Sequence, residues 1–184
     1  MEKLSEDFSL KKYGLKVRLI NKSDAAFILS LRANSKRTKY MVTLNNNISS
    51  QKKWIQEYKK REKKGLDYYL IYSNQDDKPI GVNRISYVDF QTKTAKTSSW
   101  IAVEGLNYEA IKMMIIQNEI VFNLLEIDKI WCDVHYKNKR AIRILELLGY
   151  SIKDTRKTYL KISLDKKDFF KACKSTKIDK FKNE

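Results

Sequence analysis

Cysteine and histidine are scarce in this chain of 184 residues. It has two cysteines, Cys132 and Cys173, and one histidine, His135. Two cysteines far apart in sequence cannot build a disulfide framework, and they lack the paired spacing of a zinc site. We therefore expect no metal, and we expect the reducing environment of the cytoplasm.

Long apolar runs are absent as well. No stretch approaches the roughly eighteen apolar residues of a membrane-spanning helix, and the N-terminus MEKLSEDFSL lacks the basic and apolar regions of a signal peptide. The composition, with 42% apolar residues, is ordinary for a soluble protein. We expect a single domain over residues 1–184, with no membrane partner.

Positive charge is what the sequence has in excess. Lysine and arginine number 38 against 22 aspartates and glutamates, a formal net charge of +16. This excess favours an anionic partner, such as nucleic acid or a phosphorylated small molecule. The lysines are spread along the whole chain without a basic stripe between aromatic residues, so a diffuse solubilising charge is the simpler interpretation. Nucleic acid is not expected, whereas phosphate-bearing small ligands remain open.

One proline and five glycines punctuate the chain so little that hydrophobic periodicity has to predict the elements. It predicts the order β, α, α, β, β, β, α, β, α, β over residues 15–165. A short helix and a basic tail that frays follow over residues 165–184. The expected strands are LKVRLIN, LDYYLIYS, IGVNRISYVDF, TAKTSSWIAV, DKIWCDVHY and TYLKISL.

The order of these elements indicates the fold class. Three consecutive strands favour an antiparallel meander, and the later strand–helix–strand units favour parallel crossovers. We predict an α/β (α+β) fold with a mixed, mostly antiparallel central sheet flanked by helices on both faces. Parallel neighbours that separate at their C-terminal ends would open a ligand crevice.

The stretch VHYKNKRAIRILELLGY, residues 134–150, carries the most informative local pattern. Asn138 is a good N-cap for the apolar helix that follows, and Gly149 suits the left-handed residue beyond a helix end. The segment also resembles the N-x-x-A/S-I … L-G-F/Y motif of the GNAT superfamily of acyl-CoA N-acetyltransferases. The stretch LRANSKRTKYMVTLNNNISSQKKWIQEY more narrowly resembles the branches that acetylate nucleotide-linked amino sugars and ribosomal proteins.

The resemblance implies acetyl-CoA as co-substrate and assigns residues to it. Exposed backbone groups of Ile101, Ala102 and Val103 would bind the pantetheine arm as an additional strand. The loop and helix start that follow would hold the pyrophosphate on free N–H groups; these residues are Leu106, Asn107, Tyr108, Glu109 and Ala110. Asn138 would place its amide against the arm, and the small Ala141 would let it pass.

Two positions depart from the family pattern. The phosphate loop usually reads Q/R-x-x-G-x-G/A, whereas this chain has EGLNYEA with Gly105 alone and a carboxylate at Glu109. Leu145 stands where many members carry a tyrosine that protonates the leaving thiolate. The departures concern the chemistry more than the fold.

Candidates for the remaining roles come from strand and helix ends. His135 and Glu104 are the candidate bases; the alternatives are an ordinary hydrogen bond for the histidine and plain exposure for the glutamate. For the substrate, Arg32 and Asn34 follow the first helix and Asn83 and Arg84 lie on the third strand, where one of that pair faces the sheet's interior.

The resemblance implies an acetyl-CoA-dependent N-acetyltransferase with a small-molecule amine acceptor, in the first place an amino group on a nucleotide-linked sugar. The alternatives are acetylation of a protein N-terminus or another small amine, and a CoA-binding module without turnover. A homodimer is compatible with the sequence.

Overall fold

The computed structural model describes residues 3–41, 47–106 and 108–183, and within these ranges eight strands form one sheet. The strand order is β1-β2-β3-β4-β5-β6-β8-β7. All neighbours pair antiparallel except β5 and β6, which are parallel. The mixed, mostly antiparallel sheet is thus confirmed. The strands are β1 (Ser9–Lys12), β2 (Leu15–Leu19), β3 (Asp67–Ser73), β4 (Pro79–Asp89), β5 (Thr94–Ala102), β6 (Lys129–His135), β7 (Ser151–Thr155) and β8 (Tyr159–Asp165).

Helices cover both faces of this sheet, as the sequence predicts. Helices α4 to α7 contribute to the apolar core on one face, and α1 and α3 contribute to the core on the other. No helix in the described ranges has the length and apolar composition that crossing a membrane requires. The helices are α1 (Ala25–Ala33), α2 (Ser35–Thr38), α3 (Ile48–Lys63), α4 (Tyr108–Glu119), α5 (Lys139–Leu147), α6 (Lys166–Cys173) and α7 (Thr176–Asn183).

Strand β3 shows how one sequence serves both cores. Its side chains alternate between the two faces, with Tyr68, Leu70 and Tyr72 in the α4-side core and Tyr69 and Ile71 in the α1-side core. A strand that is buried on both faces needs apolar or aromatic residues at successive positions, and the DYYLIYS sequence supplies them.

The short helix α2 was not predicted, and three further elements differ from the sequence prediction. Strands β1 and β7 were not expected, because neither SLKK nor SIKDT shows an apolar alternation. Both are edge strands that pair on one side only, and β7 is exposed along its whole length. The tail forms α7 rather than fraying, because Ile178 and Phe181 are buried in the α4-side core.

Helix α5 begins and ends where the sequence predicts. The Asn138 side chain accepts a hydrogen bond from the Ala141 N–H, which makes it the N-cap. Gly149 has a φ of 91°, the left-handed conformation expected after a helix, and the Tyr150 N–H donates to the Leu145 carbonyl oxygen at 3.0 Å. A Cβ atom at Gly149 would lie 2.9 Å from the Asp168 carbonyl oxygen of α6. Only glycine therefore lets these two helices pack this closely.

Gly149→Ala is expected to reduce the free energy of unfolding by more than Gly14→Ala. Gly14 also has a positive φ, 74°, but a Cβ there meets only the Gln75 amide nitrogen at 3.6 Å. Gly14→Ala is therefore expected to cost only the free energy of placing alanine in the left-handed conformation, about 1–2 kcal/mol. Alanine at Gly149 adds the contact with Asp168. Urea denaturation of both variants measures the difference, and equal losses would contradict this explanation.

Candidate active site

The parallel strands β5 and β6 pair only at their beginnings. The paired residues are Thr94 with Lys129, Ala95 with Ile130 and Lys96 with Trp131. Beyond this point β5 continues to Ala102 and β6 to His135 without a further pair in the described residues. The separation expected from the sequence is therefore present, and it exposes strand backbone inside the sheet.

A β-bulge in β5 accompanies the separation. Arg84 pairs with Ser98 and Val82 with Ile101, so β5 has one more residue than β4 across this interval. Ser99, inside the interval, has a positive φ of 55°. A bulge bends and twists its strand, and this one lies in the part of β5 that is not paired with β6.

A cavity of about 550 Å³ occupies the gap between the two strands. Its walls come from both faces of the sheet. On one face they are formed by Met114 and Gln117 of α4 and by Asn138, Ala141 and Leu145 of α5; on the other face the lining includes Arg32, Tyr40, Met41, Arg156 and Tyr159. Two ligands entering from opposite faces would therefore meet in this gap.

An ion pair between Lys96 and Asp133 lies where the strands begin to part. The Lys96 Nζ is 2.8 Å from an Asp133 carboxylate oxygen, and both residues line the cavity. The same ammonium lies 4.5 Å from the centroid of the Trp131 ring. The ammonium and the carboxylate therefore neutralise each other at this end of the cavity.

Asn138 is half-buried in the cavity wall at the start of α5. Its Oδ1 accepts the capping bond from Ala141 N–H at 3.3 Å. The cap uses only the oxygen, so the Nδ2 donors remain for a ligand, and capping and binding are compatible. Ala141 lines the same wall and presents only a methyl group.

His135 lies in the cavity wall among aromatic rings. Its ring centroid is 4.8 Å from that of Tyr40, 5.2 Å from Tyr136 and 5.5 Å from Tyr159. Its Nδ1 accepts a hydrogen bond from the Lys137 N–H at 3.1 Å. In the neutral ring this bond places the proton on Nε2, which makes Nε2 a donor. In this arrangement the Nε2–H of His135 is available to donate to a ligand. To accept a proton at Nδ1, the ring would have to release the Lys137 N–H.

Arg32, at the end of α1, lies between the main cavity and a second one of about 260 Å³. Its Nη2 is 3.4 Å from the Ser99 Oγ, and its buried Nε has no hydrogen-bond partner among the described residues. The Tyr69 hydroxyl is buried in the wall of the second cavity, near the side chains of Arg32 and Ser99. Burial raises the pKa of Tyr69, and the charges of Arg32 and Arg84 act in the opposite direction. The second cavity thus combines cationic groups with a neutral phenol.

Of the other predicted substrate residues on β4, Arg84 lines a cavity and Asn83 does not. Arg84 lines the second cavity, where its Nε donates at 2.8 Å to the buried carboxylate of Asp67. Asn83 is fully buried, accepts from the Tyr72 hydroxyl at 3.1 Å and donates to the Met113 carbonyl oxygen at 3.3 Å. It anchors α4 to the sheet and lines neither cavity, so the expectation that it contacts substrate differs from the structure.

Glu104 and Asn34 are brought together. The Asn34 Nδ2 donates to a Glu104 carboxylate oxygen at 3.1 Å, which links the end of α1 to the end of β5. Both residues lie outside the lining of the two cavities. The structure therefore gives Glu104 a structural contact, and its role as a base stays a prediction.

The end of β5 offers fewer free backbone groups than predicted. The Val103 N–H donates to the Ile80 carbonyl oxygen at 2.8 Å, so it is engaged within the sheet. Because an antiparallel ladder alternates, Ile101 also faces β4, whereas Ala102 directs its backbone groups to the open side. The Ile101 side chain is buried in the α1-side core. Of the three predicted positions, Ala102 is the one that can bind a ligand strand.

The loop before α4 is only partly described. Asn107 lies outside the described residues. Gly105 has a φ of 82° and open space around its Cβ position, with Leu106 half-buried beside it. The Tyr108 ring packs 5.4 Å from that of Phe181, and Ala110 accepts a hydrogen bond from the Trp100 indole. Glu109 is half-buried in the first turn of α4, where its charge disfavours an anion.

The structure gives no support for thiol or metal chemistry in the described part of the chain. Burial raises the pKa of Cys132 to about 12, so its thiol in the cavity wall stays protonated. No group of three or more potential metal ligands is present in the described residues. Cys132 is therefore an apolar wall residue.

Several cavity residues were missed by the sequence reasoning. Ser98 and Ser99 depend on the bulge, and Arg156 and Tyr159 on the unexpected β7–β8 hairpin. Gln117 had a usable signal, because it is a polar residue within an otherwise apolar helix. Ser98, Ser99, Arg156 and Tyr159 had no comparable signal in the sequence.

Comparison with known proteins agrees with this geometry. The family model of the acetyltransferase (GNAT) domain matches residues 15–151. The solved structure of apo FdhC, a nucleotide-linked sugar GNAT, is 27% identical, with 96% of this chain and 99% of that chain covered and a TM-score of 0.84. No curated protein matches the chain in sequence.

Two further solved structures share the fold at lower identity. The spermidine N-acetyltransferase from Vibrio cholerae, in complex with CoA and spermine, is 16% identical, with 85% of this chain and 98% of that chain covered and a TM-score of 0.73. The ribosomal-protein-S5-alanine acetyltransferase from Vibrio fischeri is 16% identical, with 89% and 99% covered and a TM-score of 0.74. The family model spans most of the chain, and the chain therefore belongs to the GNAT acetyltransferase family.

Proposed function

We propose that this acetyltransferase transfers an acetyl group from acetyl-CoA to a primary amine on an anionic small molecule, in the first place a nucleotide-linked amino sugar. The observation that carries the proposal is the cavity that reaches both faces of the sheet and differs in character between them. The wall from α4 and α5 is uncharged, and the wall from α1 and the β7–β8 hairpin carries arginines.

The residues on the α4 and α5 side fit the arm of acetyl-CoA. Asn138 presents an amide donor, Ala141 leaves room beside it, and Ala102 directs backbone groups to the open side of β5. These are the groups that an amide-bearing chain needs when it binds as an additional strand. When bound, acetyl-CoA supplies the thioester whose acetyl group the amine takes up.

The opposite side fits an anionic acceptor. Arg32 has no carboxylate partner among the described residues and lies between the two cavities. Arg156 lines the main cavity together with Tyr159 and forms an ion pair with Asp154 at 3.3 Å. Guanidinium groups bind phosphate and carboxylate through paired hydrogen bonds. The only acidic residue in the main cavity's described lining is Asp133, and Lys96 neutralises it. A polycation such as spermidine would meet repulsion here.

His135 is well placed to orient the acceptor. Its Nε2–H can donate to a hydroxyl or phosphate oxygen, and its ring is held among tyrosines. We retain the prediction that the amine is deprotonated at His135 or Glu104, with His135 requiring the loss of the Lys137 bond. The homodimer and the cytoplasmic location stay predictions.

An acceptor series tests the proposal directly. CoA release from acetyl-CoA is measured with a nucleoside-diphosphate-linked amino sugar, its 1-phosphate, the free amino sugar, spermidine and an alanine-ended peptide. We expect kcat/KM to fall in the order in which negative charge is removed, and to be lowest for spermidine. The highest kcat/KM with spermidine or the peptide would contradict the anionic acceptor. Binding of acetyl-CoA without transfer to any amine would favour a CoA-binding module.

Arg32→Gln tests the acceptor side of the cavity independently of the acetyl-CoA side. Loss of a charged hydrogen-bond donor costs about 1.5–3 kcal/mol, so KM for the anionic acceptor should rise roughly 10- to 100-fold. The affinity for acetyl-CoA, measured by calorimetry, should not change. Arg143→Gln is the matched control, because Arg143 is exposed on α5 and lines neither cavity. Equal effects of the two substitutions would show that only overall charge matters.

Asn138→Ser separates helix capping from ligand binding. Serine is as good an N-cap as asparagine but has no amide, so stability should be kept while acetyl-CoA binds about tenfold more weakly. Asn138→Ala should lose the same affinity and, in addition, about 1 kcal/mol of stability. Thermal unfolding and calorimetry measure the two quantities. Unchanged affinity in the serine variant would limit Asn138 to its capping role.

A further inference from the structure

Three consecutive polar residues are buried at the end of α4. Gln117, Asn118 and Glu119 are 1%, 0% and 8% exposed. Asn118 accepts from the Tyr150 hydroxyl at 3.0 Å, and Glu119 accepts from the Tyr13 hydroxyl at 2.7 Å. Neither amide atom of Gln117 has a hydrogen-bond partner among the described residues. Gln117 is also the member of the three that lines the cavity between β5 and β6.

The surroundings of Gln117 do not explain its side chain. Met114 and Leu145 in the same wall are apolar, and the rest of this face of α4 is packed in the core. A buried amide without partners is desolvated without compensation, which is unfavourable for the folded state. A ligand in the cavity would complete its hydrogen bonds. The structure thus combines a buried polar group in the cavity wall with a cavity that has space for its partner.

The ligand atom that Gln117 meets follows from the wall in which it lies. An acyl-CoA arm held at Asn138 and Ala141 would enter from the α4 and α5 side, where Gln117 also lines the cavity. Its sulfur would then come closer to this wall than an acyl group directed at the acceptor on the opposite face. Other donors in the wall are few. The Asn138 amide is assigned to the arm, and the Trp100 indole donates to the Ala110 carbonyl oxygen. The Thr97 hydroxyl lies within hydrogen-bond reach of Cys132 and Tyr150. Leu145 has no polar atom, and the protonated Cys132 thiol is a weak donor.

We propose that the Gln117 amide N–H donates a hydrogen bond to the sulfur of CoA and stabilises it as the thiolate leaving group. This inference rests on the proposed use of acetyl-CoA. In the step, the amine nitrogen forms a bond to the acyl carbon, the carbon–sulfur bond breaks, and its electron pair remains on sulfur. The amine proton goes to a base or to water. The amide donates no proton, so the thiolate is protonated from solvent after release.

The assignment makes a specific prediction for the binding of free CoA. A hydrogen bond to the thiolate lowers the pKa of the bound thiol below that of the free thiol. Affinity for CoA must then increase as the pH rises through the pKa of the bound thiol and level off above the pKa of the free thiol. Acetyl-CoA has no thiol, so its affinity lacks this component.

Gln117→Met is the test variant, because methionine has a similar length and removes both the donor and the acceptor. Calorimetric titrations with CoA and acetyl-CoA between about pH 7 and pH 9.5 bracket an ordinary thiol pKa. We expect the variant to lose the pH-dependent gain in CoA affinity, about tenfold if the pKa of the bound thiol rises by 1. Its affinity for acetyl-CoA should stay within about twofold.

Comparing CoA with acetyl-CoA cancels the contribution of other titratable groups to the pH dependence of binding. The titratable and charged side chains of the described lining come from α1, the segment after α2, β5, β6 and the β7–β8 hairpin: Arg32, Tyr40, Lys96, Cys132, Asp133, His135, Arg156 and Tyr159. Their ionisation acts on CoA and acetyl-CoA alike, whereas the thiol belongs to CoA alone. The difference between the two pH profiles therefore measures the contribution of the CoA thiol to binding.

Stability and two further variants complete the experiment. If the amide lacks partners in the free protein, Gln117→Met unfolds at the same or a higher temperature than the wild type. Gln117→Leu, measured alongside, should give the same loss with a shorter apolar side chain. Gln56→Met makes the same chemical change at an exposed site on α3 and should leave binding unchanged.

The outcomes separate this inference from the proposed function. A wild-type protein that binds neither CoA nor acetyl-CoA overturns both. A wild type that binds both ligands, together with Gln117 variants that retain the full pH-dependent gain, overturns the Gln117 assignment alone. A marked loss of stability in both ligand-free variants would also overturn it, because the amide would then be satisfied within the protein itself.

Discussion

The separation of β5 from β6 is the constraint on which the rest of the site depends. Parallel neighbours ordinarily pair along their whole length, because unpaired backbone groups inside a sheet are unfavourable. Here pairing stops at Lys96 and Trp131, and β5 has a bulge around Ser99 in its unpaired part. The sheet therefore gives up hydrogen bonds at its centre and gains a passage between its two faces. A ligand that binds as a strand restores those bonds.

The two ends of this passage differ in electrostatics. The α4 and α5 wall presents amides and apolar groups, including Gln117, Asn138 and Leu145, and it has no charged residue in the described lining. The opposite wall presents Arg32 and Arg156. The net charge of +16 would not by itself have located an anion site, because most of it is diffuse. The arginines that line the cavity, rather than the net charge, favour an anionic acceptor.

What the sequence predicted and what it missed follow from the range of the interactions. Asn138 and Gly149 were predictable because capping and the left-handed helix end are set by neighbours along the chain. The inward direction of Asn83 and the extra residue at Ser99 depend on how β4 aligns with β5, which periodicity alone does not determine. The edge strand β7 has no apolar pattern and exists because β8 offers it a partner.

The cavities also contain polar groups that the fold itself leaves without partners. In the described residues these include both amide atoms of Gln117 and the Arg32 Nε. A protein selected for stability alone would place apolar residues at such positions, since a buried polar group without a partner is costly. A ligand bound in either cavity would complete their hydrogen bonds. Binding then acts as a stabilising term by mass action, and the folded state is strengthened most when both cavities are filled.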